Sequence, residues 1–315
     1  MITGTIKRMR AYVNAMFPPG RMLATGAAFF LSVYLGLQAV AGTSPIQLGW
    51  PAAVGVVSTV LWMLLVRLND DVADMEVDRQ LAEAGDPRYQ DRPTVTGAVR
   101  HRDLRLLSAS ALTALIALNV TLGLSAALAA CVFGWFVTWL GFRWFFIERW
   151  SRNPGPLAYL ARKGLTVLVA VYAAAVYVDQ IGWALTWWTV PLLLAPCAGV
   201  ACWEVGRKIR LPAEETAYAT YSSVLGWRGA TALTGSFVVF SWIMLLLLAG
   251  AAEAGTVYAV LLSFAALLTL GACARLLLRP TSERTRLGPW MQLYGAVAHG
   301  GLAVVLLLRH GTALS

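Results

Sequence analysis

Charge is scarce in this 315-residue chain: 13% of its residues are Asp, Glu, Lys or Arg, and 58% are hydrophobic. Average soluble domains are about a quarter charged and just under half apolar. With a mean hydropathy of +0.65, the composition excludes an ordinary soluble domain. Cysteine is almost as scarce. Cys131, Cys197, Cys202 and Cys273 stand without CxxC spacing and inside apolar stretches, which argues against a disulfide framework or a thiolate metal site and for small core residues. Histidine is limited to His101, His299 and His310. His101 lies in a loop, His310 lies near the end of the chain, and His299 falls inside an apolar run, where bonding to a neighbouring helix is the expected role. No low-complexity tract or long polar linker interrupts the sequence.

What the chain has instead is apolar runs near twenty residues long, the length that crosses a bilayer. Nine spans are expected, at about 22–41, 49–68, 104–122, 124–142, 164–179, 185–203, 230–250, 255–278 and 289–308, with a tight hairpin near Thr121–Ser125 joining the third and fourth. The fold class is all-α: a polytopic membrane helix bundle forming one domain over residues 1–315. Basic residues alternate between connections. Lys7, Arg8, Arg10 and Arg21 precede the first span, whereas the segment from Ala41 to Leu48 carries no charge. Arginines return between the second and third spans, around Arg149–Lys163, around Arg207–Arg228 and around Arg279–Arg286; the intervening connections hold only Asp179 or Glu253. The positive-inside rule then places the N-terminus and every long loop in the cytoplasm and the C-terminus outside. The net charge of +9 fits topology and anionic lipid rather than nucleic acid, because no soluble basic domain is present to bind one. Lys7–Arg10 resembles the basic region of a signal peptide, but the first span lies too far into the chain and lacks a convincing small-residue cleavage site, so it is expected to be retained.

The few acids are concentrated. Asp70, Asp71, Asp74, Glu76 and Asp78, five of the chain's sixteen, fall within ten residues directly after the second apolar run. At about 100° per residue, Asp71, Asp74 and Asp78 share one helix face, with Asp70 beside them and Glu76 elsewhere. Like charges at this spacing repel, and an oxygen-only set suits Mg²⁺. The plainer reading is a solvated helix whose acids pair with Arg67, Arg79 and Arg88. Downstream come Asp91-Arg92-Pro93 and Gly97; Pro93 stiffens the return, and Arg92 is placed either to bridge a loop carboxylate or to reach an anion.

A second constellation ends the sixth span. Glu204, Arg207 and Lys208 stand at i, i+3 and i+4 and therefore share a face, followed by Arg210, Pro212, Glu214-Glu215, Tyr221-Ser222 and Leu225-Gly226. One carboxylate with two cations suits a metal-chelated diphosphate. The plainer reading is that these cations only anchor the helix end.

Together the two constellations resemble the UbiA superfamily of intramembrane prenyltransferases, whose aspartate-rich motifs follow the second and sixth of nine helices. Asp70-Asp71, Asp74 and Asp78 match the family's first pattern, and Asp91-Arg92-Pro93, Gly97 and the Tyr221–Gly226 segment are similar to family members. The second motif, commonly Asp-x-x-x-Asp, has Glu204 and Lys208 at its two positions. Either Lys208 with Arg207 substitutes for a lost metal position, the reading favoured here, or Glu214 or Glu215 moves in. This form resembles a divergent bacterial branch, which implies the cytoplasmic membrane with the site on its cytoplasmic side.

The resemblance implies a Mg²⁺-dependent transferase that ionises an allylic prenyl diphosphate and passes the prenyl group to a lipophilic, commonly aromatic, acceptor. A terpene cyclase on the same scaffold, needing no acceptor, is the alternative; a transporter would place its charges nearer the bilayer midplane. By the same resemblance, Asp70, Asp71, Asp74, Asp78 and Glu204 hold metal, and Asp71, Asp74, Arg207 and Lys208 carry the ionisation. Arg92, Arg207, Lys208, Arg210, Tyr221, Arg143 and Lys163 line the diphosphate. Trp135, Trp139, Phe142, Trp144, Phe145, Tyr172 and Trp203 are expected walls for a cationic intermediate. Trp183, Trp187 and Trp188 read as an interfacial belt on the far side.

Overall fold

The computed structural model describes residues 2–142, 156–183, 185–215 and 220–314. Among these, helices dominate: α1 (Ile2–Met16), α2 (Pro19–Val40), α3 (Trp50–Glu83), the single-turn α4 (Pro87–Gln90), α5 (His101–Val120), α6 (Leu124–Phe142), α7 (Pro156–Ile181), α8 (Thr189–Gly206), α9 (Tyr221–Ala251), α10 (Thr256–Leu278) and α11 (Gly288–His310). Two three-residue strands, β1 (Ile46–Leu48) and β2 (Thr312–Leu314), complete the order.

Seven of these helices contain membrane-length apolar segments: Pro19–Val40, Trp50–Val72, His101–Val120, Thr189–Gly206, Tyr221–Ala251, Thr256–Leu278 and Gly288–His310. The apolar segments of α6 and α7, Leu124–Phe136 and Thr166–Ile181, are shorter than the roughly 20 residues that span a bilayer. Each of the nine apolar runs is therefore helical, but seven rather than nine reach spanning length among the described residues. The chain is an integral membrane protein built from these helices.

The 34 residues of α3 make a rod about 51 Å long at 1.5 Å per residue, whereas a hydrocarbon core is about 30 Å thick. Its apolar window ends at Val72, and the helix continues without a break through Glu83. The acids of the first motif thus lie on regular helix, and their 100° spacing translates directly into a shared face.

The chain divides into two compact units. One comprises Met1–Ala27 and Ala53–Phe146; the other comprises Ala28–Ala52 and Ile147–Ser315. In the first, Trp62 of α3 stacks on Phe133 of α6, with ring centroids 4.1 Å apart. The amide of Asn119 on α5 donates to Ser58 Oγ on α3 at 2.8 Å, satisfying a polar group that burial would otherwise penalise. The expected hairpin is present: α5 ends at Val120 and α6 begins at Leu124, and a Cβ on Gly134 would come within 2.6 Å of Leu112 Cδ1, so glycine permits their close approach.

In the second unit α8 packs along α9, where the Ser241 hydroxyl donates to the Ala195 carbonyl at 3.1 Å. Gly36 of α2 leaves room for Leu192 of α8, which a Cβ would meet at 2.5 Å. Gly226 breaks the regularity of α9 at φ 70°, ψ 155°, a conformation open to glycine and strained for other residues. A π-helical stretch, Ala296–Gly301, interrupts α11. The Tyr258 hydroxyl donates to the Ala298 carbonyl there at 2.8 Å. Strands β1 and β2 pair in parallel, Ile46 with Thr312 through Leu48 with Leu314.

Candidate active site

In the first unit the acidic face is held from several directions. Asp71 is 2% exposed and Asp78 1%, far too little for unpaired carboxylates. The Tyr12 hydroxyl of α1 donates to Asp71 Oδ2 at 2.5 Å. One turn earlier on α3, Arg67 donates through Nε to Oδ2 at 3.1 Å and approaches Oδ1 through Nη2 at 2.8 Å. Asp78 is bridged by Arg92, whose Nη1 donates to Oδ2. The Arg92 guanidinium also lies over the buried Tyr89 ring, 4.4 Å from its centroid, so a carboxylate and an aromatic face fix one cation. The other oxygen of Asp78, Oδ1, is buried with no hydrogen-bond partner. Asp74 is half-buried on the same face and Asp70 is exposed beside it. Glu76 faces away, exposed and paired with Arg79 at 2.7 Å.

The plainer sequence reading is therefore met in part. Arg67 pairs with Asp71, whereas Arg79 serves Glu76 and Arg88 serves Asp86 at 2.6 Å. Arg92 is a carboxylate partner in this structure. The loop that presents it is built by its own backbone: Arg92's carbonyl accepts from Val95 and Thr96 at 2.9 Å each, and Gly97 turns the chain at φ 72°.

Sequence reasoning assigned α1 only topological charges. In the structure Arg8 grips Asp103 with two bonds, Nε to Oδ2 at 2.7 Å and Nη2 to Oδ1 at 2.9 Å. The carboxylate, with its strong hydrogen bonds, raises the affinity of the Arg8 guanidinium for its proton. Asp103 also caps α5, accepting from the Arg100 amide at 3.2 Å. Tyr12, one turn beyond Arg8, is fully buried. Burial first and the Asp71 charge second push its phenol above the ordinary tyrosine range, so it remains a donor at neutral pH. The i, i+4 spacing of Arg8 and Tyr12 was the available signal, but nothing local names their partners.

The second unit holds the other constellation. Here α8 ends at Gly206, where a Cβ would come within 3.2 Å of Thr234 Cγ2 and 3.3 Å of Met291 Cγ. Glu204, 8% exposed, accepts from Arg207 Nε and Nη2 at 2.9 and 2.6 Å on Oε2. Lys208 Nζ lies 2.5 Å from Oε1. Arg207 also lies over Trp203, 4.6 Å from the ring centroid. The i, i+3, i+4 spacing is realised as an ion-paired triad. Glu214 caps the Leu211 amide at 3.0 Å, and Glu215 accepts from the Thr220 hydroxyl at 2.8 Å. Both thus serve the connection rather than the triad. The Arg210 amide donates to Ser222 Oγ at 2.9 Å, and Tyr221 begins α9, half-buried.

Arg143 lies outside the described residues, as do Trp144, Phe145 and the side chains of Lys163, Trp139 and Phe142. Of the remaining expected aromatic walls, Tyr172 is fully buried against Phe30, and Trp203 carries Arg207. Trp135 is 59% exposed and faces outward from its unit, as apolar lipid-facing residues do. His299 sits in the π stretch of α11 with Nδ1 3.5 Å from Ser32 Oγ on α2, long for a hydrogen bond. A Cβ on Gly199 would come within 2.8 Å of its Nε2.

Among the described residues, no three His, Cys, Asp or Glu side chains are gathered closely enough to hold a metal ion as they stand. The donor chemistry of the acidic face nevertheless fits one. Its oxygens are hard ligands, the orphaned Asp78 Oδ1 lacks a partner, and guanidinium groups already occupy the cation's role at Asp71 and Asp78.

No protein-family model matches the sequence, and no curated protein matches it by sequence. Solved structures do match by fold. A UbiA homologue from Aeropyrum pernix K1 in its apo state superposes with a TM-score of 0.63 at 18% identity, covering 89% of this chain and 96% of that one. A digeranylgeranylglyceryl phosphate synthase of membranes gives 0.64 at 14% identity, covering 96% and 99%. A UbiA homologue from Archaeoglobus fulgidus, bound to DMAPP and Mg²⁺, gives 0.57 at 15% identity, covering 95% and 99%. Over nearly its whole length, this chain has the UbiA fold.

Proposed function

We propose that this protein is a Mg²⁺-dependent intramembrane prenyltransferase of the UbiA superfamily, which ionises an allylic prenyl diphosphate and transfers the prenyl group to a lipophilic acceptor. The observation that carries the reading is the helical face Asp71–Asp74–Asp78, where α3 leaves its apolar window and two members are buried among compensating cations. Its support is the shared fold with a homologue solved with DMAPP and Mg²⁺.

Asp71, Asp74 and Asp78, with Asp70 beside them, hold Mg²⁺. The bound ion supplies neutralisation of the diphosphate's oxygens as the carbon–oxygen bond breaks. Arg92 is preorganised by Tyr89 and Asp78 to meet a diphosphate oxygen without a reorganisation cost at the moment of reaction. In the second unit Glu204 holds Arg207 and Lys208 together by ion pairs. Those two cations provide what the substituted second motif lacks in carboxylates. Arg210, Tyr221, Arg143 and Lys163 are the further diphosphate-binding candidates that the UbiA resemblance implies. The positive-inside pattern places this chemistry on the cytoplasmic side.

The test is diphosphate release by the purified protein with Mg²⁺ and prenyl diphosphates of graded length. Asp71→Ala and Asp74→Ala are expected to abolish release. Full activity in both would overturn the metal assignment. Release and product formation that require an added lipophilic acceptor support transfer, whereas cyclised product without any acceptor identifies the cyclase.

A further inference from the structure

Asp71 is held at both carboxylate oxygens, and one of its partners comes from an element that the two aspartate-rich motifs do not include. α1 docks on the first unit through Arg8, whose two bonds reach Asp103 at the start of α5. One turn later Tyr12 is fully buried, its hydroxyl directed at Asp71 Oδ2. Arg67 serves both Asp71 oxygens.

These partners differ in what they can surrender. Arg67 is a cation on a long side chain, about one-third exposed, and an incoming divalent ion competes with it for the same negative oxygens. Tyr12 is a neutral donor on a short ring that neither competes for charge nor has solvent to retreat into. It restrains the carboxylate's rotation and leaves its charge available.

We infer that Tyr12 is a positioning residue for the Asp71 carboxylate, delivered by α1, and that it sets the affinity of the acidic face for a divalent cation. The inference rests on the proposed metal role of that face and extends it to the N-terminal helix. Groups that hold and orient a ligating carboxylate typically alter metal affinity about 10–100-fold when removed.

The experiment uses the full chain in nanodiscs, with Mn²⁺ as the probe and electron paramagnetic resonance to count free ion. Three variants are compared with the unaltered protein: Asp71→Asn, Tyr12→Phe and Arg8→Gln. Asp71→Asn is expected to lose Mn²⁺ binding. Tyr12→Phe, which keeps the ring and removes only the donor, is expected to weaken it about tenfold. In steady-state turnover, the Mg²⁺ concentration for half-maximal rate rises by the same factor, while the rate at saturating Mg²⁺ stays within about twofold. Arg8→Gln loosens α1 without touching Asp71 and serves as the control for destabilisation. If it matches Tyr12→Phe in unfolding temperature yet retains Mn²⁺ affinity, the loss belongs to the hydroxyl.

Unchanged affinity in Tyr12→Phe beside lost binding in Asp71→Asn overturns the positioning role alone. Equal weakening by Tyr12→Phe and Arg8→Gln overturns it as well, since docking of α1 would then account for the effect. Mn²⁺ binding unaffected by Asp71→Asn, or absent from the unaltered protein, overturns the metal reading on which the inference rests.

Discussion

The two constellations differ in how far along the chain their partners lie. In the second unit, Glu204, Arg207 and Lys208 lie within five residues and close on each other through i, i+3 and i+4 contacts at a helix end. In the first unit, Asp71 is balanced by Arg67 one turn earlier and is also held by the Tyr12 hydroxyl, 59 residues away, while Asp78 depends on Arg92, 14 residues away and presented by a turn. The contacts within the triad follow from spacing along one stretch of chain. A face assembled from α1, α3 and the α4–α5 loop needs the tertiary structure, and it also reports on it.

The largest expected effect is on stability and turnover together at the assembled face. Asp78→Ala strips the carboxylate from Arg92 and should lower diphosphate release by about 10²–10³-fold, the usual cost of losing a preorganised electrostatic partner. Asp71→Ala should also cost about 2 kcal/mol of stability, between the ~1 kcal/mol of exposed pairs and the 3–5 kcal/mol of fully buried ones. Equilibrium unfolding in mixed micelles checks the second value, and a phosphate-coupled diphosphate assay checks the first.

Glu204→Gln is the matched change in the local triad. It should reduce turnover about tenfold while costing no more than about 1 kcal/mol, because Arg207 is exposed enough to be solvated when released. If Glu204→Gln destabilises as much as Asp71→Ala, the contrast between local and assembled balance is broken.

Lys208→Asp restores a second carboxylate four residues after Glu204. Apparent Mg²⁺ affinity should rise severalfold at constant or lower maximal rate, as expected when a ligand replaces a cation. Indifference to the change would place Lys208 outside the site.

The smallest effect on chemistry and a clear one on packing belong to Gly199→Ala. Its new Cβ would meet His299 Nε2 at 2.8 Å, and overpacking of this kind costs about 1–3 kcal/mol. A fall in unfolding temperature with turnover unchanged at low temperature is the expected pair of readings.

How much of this was legible in the sequence follows from the same contrast. Apolar length exposed every span as helix, and the 3.6-residue period placed Asp71, Asp74 and Asp78 on one face because α3 runs unbroken past Val72. The Glu204 triad could be read from spacing alone. The partners of the acidic face could be read only in part: Arg67 stands four residues before Asp71, and Arg92 bridging a carboxylate was one of two readings. Tyr12 and Arg8 sit in a helix whose sequence offers only basic residues before a first span, and no local pattern connects them to Asp71 or Asp103. Tyr89 under Arg92 was equally hidden, since a turn brings it there. The π stretch and the β1–β2 ladder left no readable period, each being short and fixed by its surroundings.

That ladder bears on how the molecule comes to be made. Ile46–Leu48 lies between the first two apolar helices, but its parallel partner Thr312–Leu314 follows every described helix in the chain. The strand must therefore wait, unpaired, through insertion of every later helix, and loop closure over such a distance is slow. Until Thr312–Leu314 has been made, the turn between α2 and α3 is an open edge that a chaperone, or a neighbouring nascent chain, can occupy.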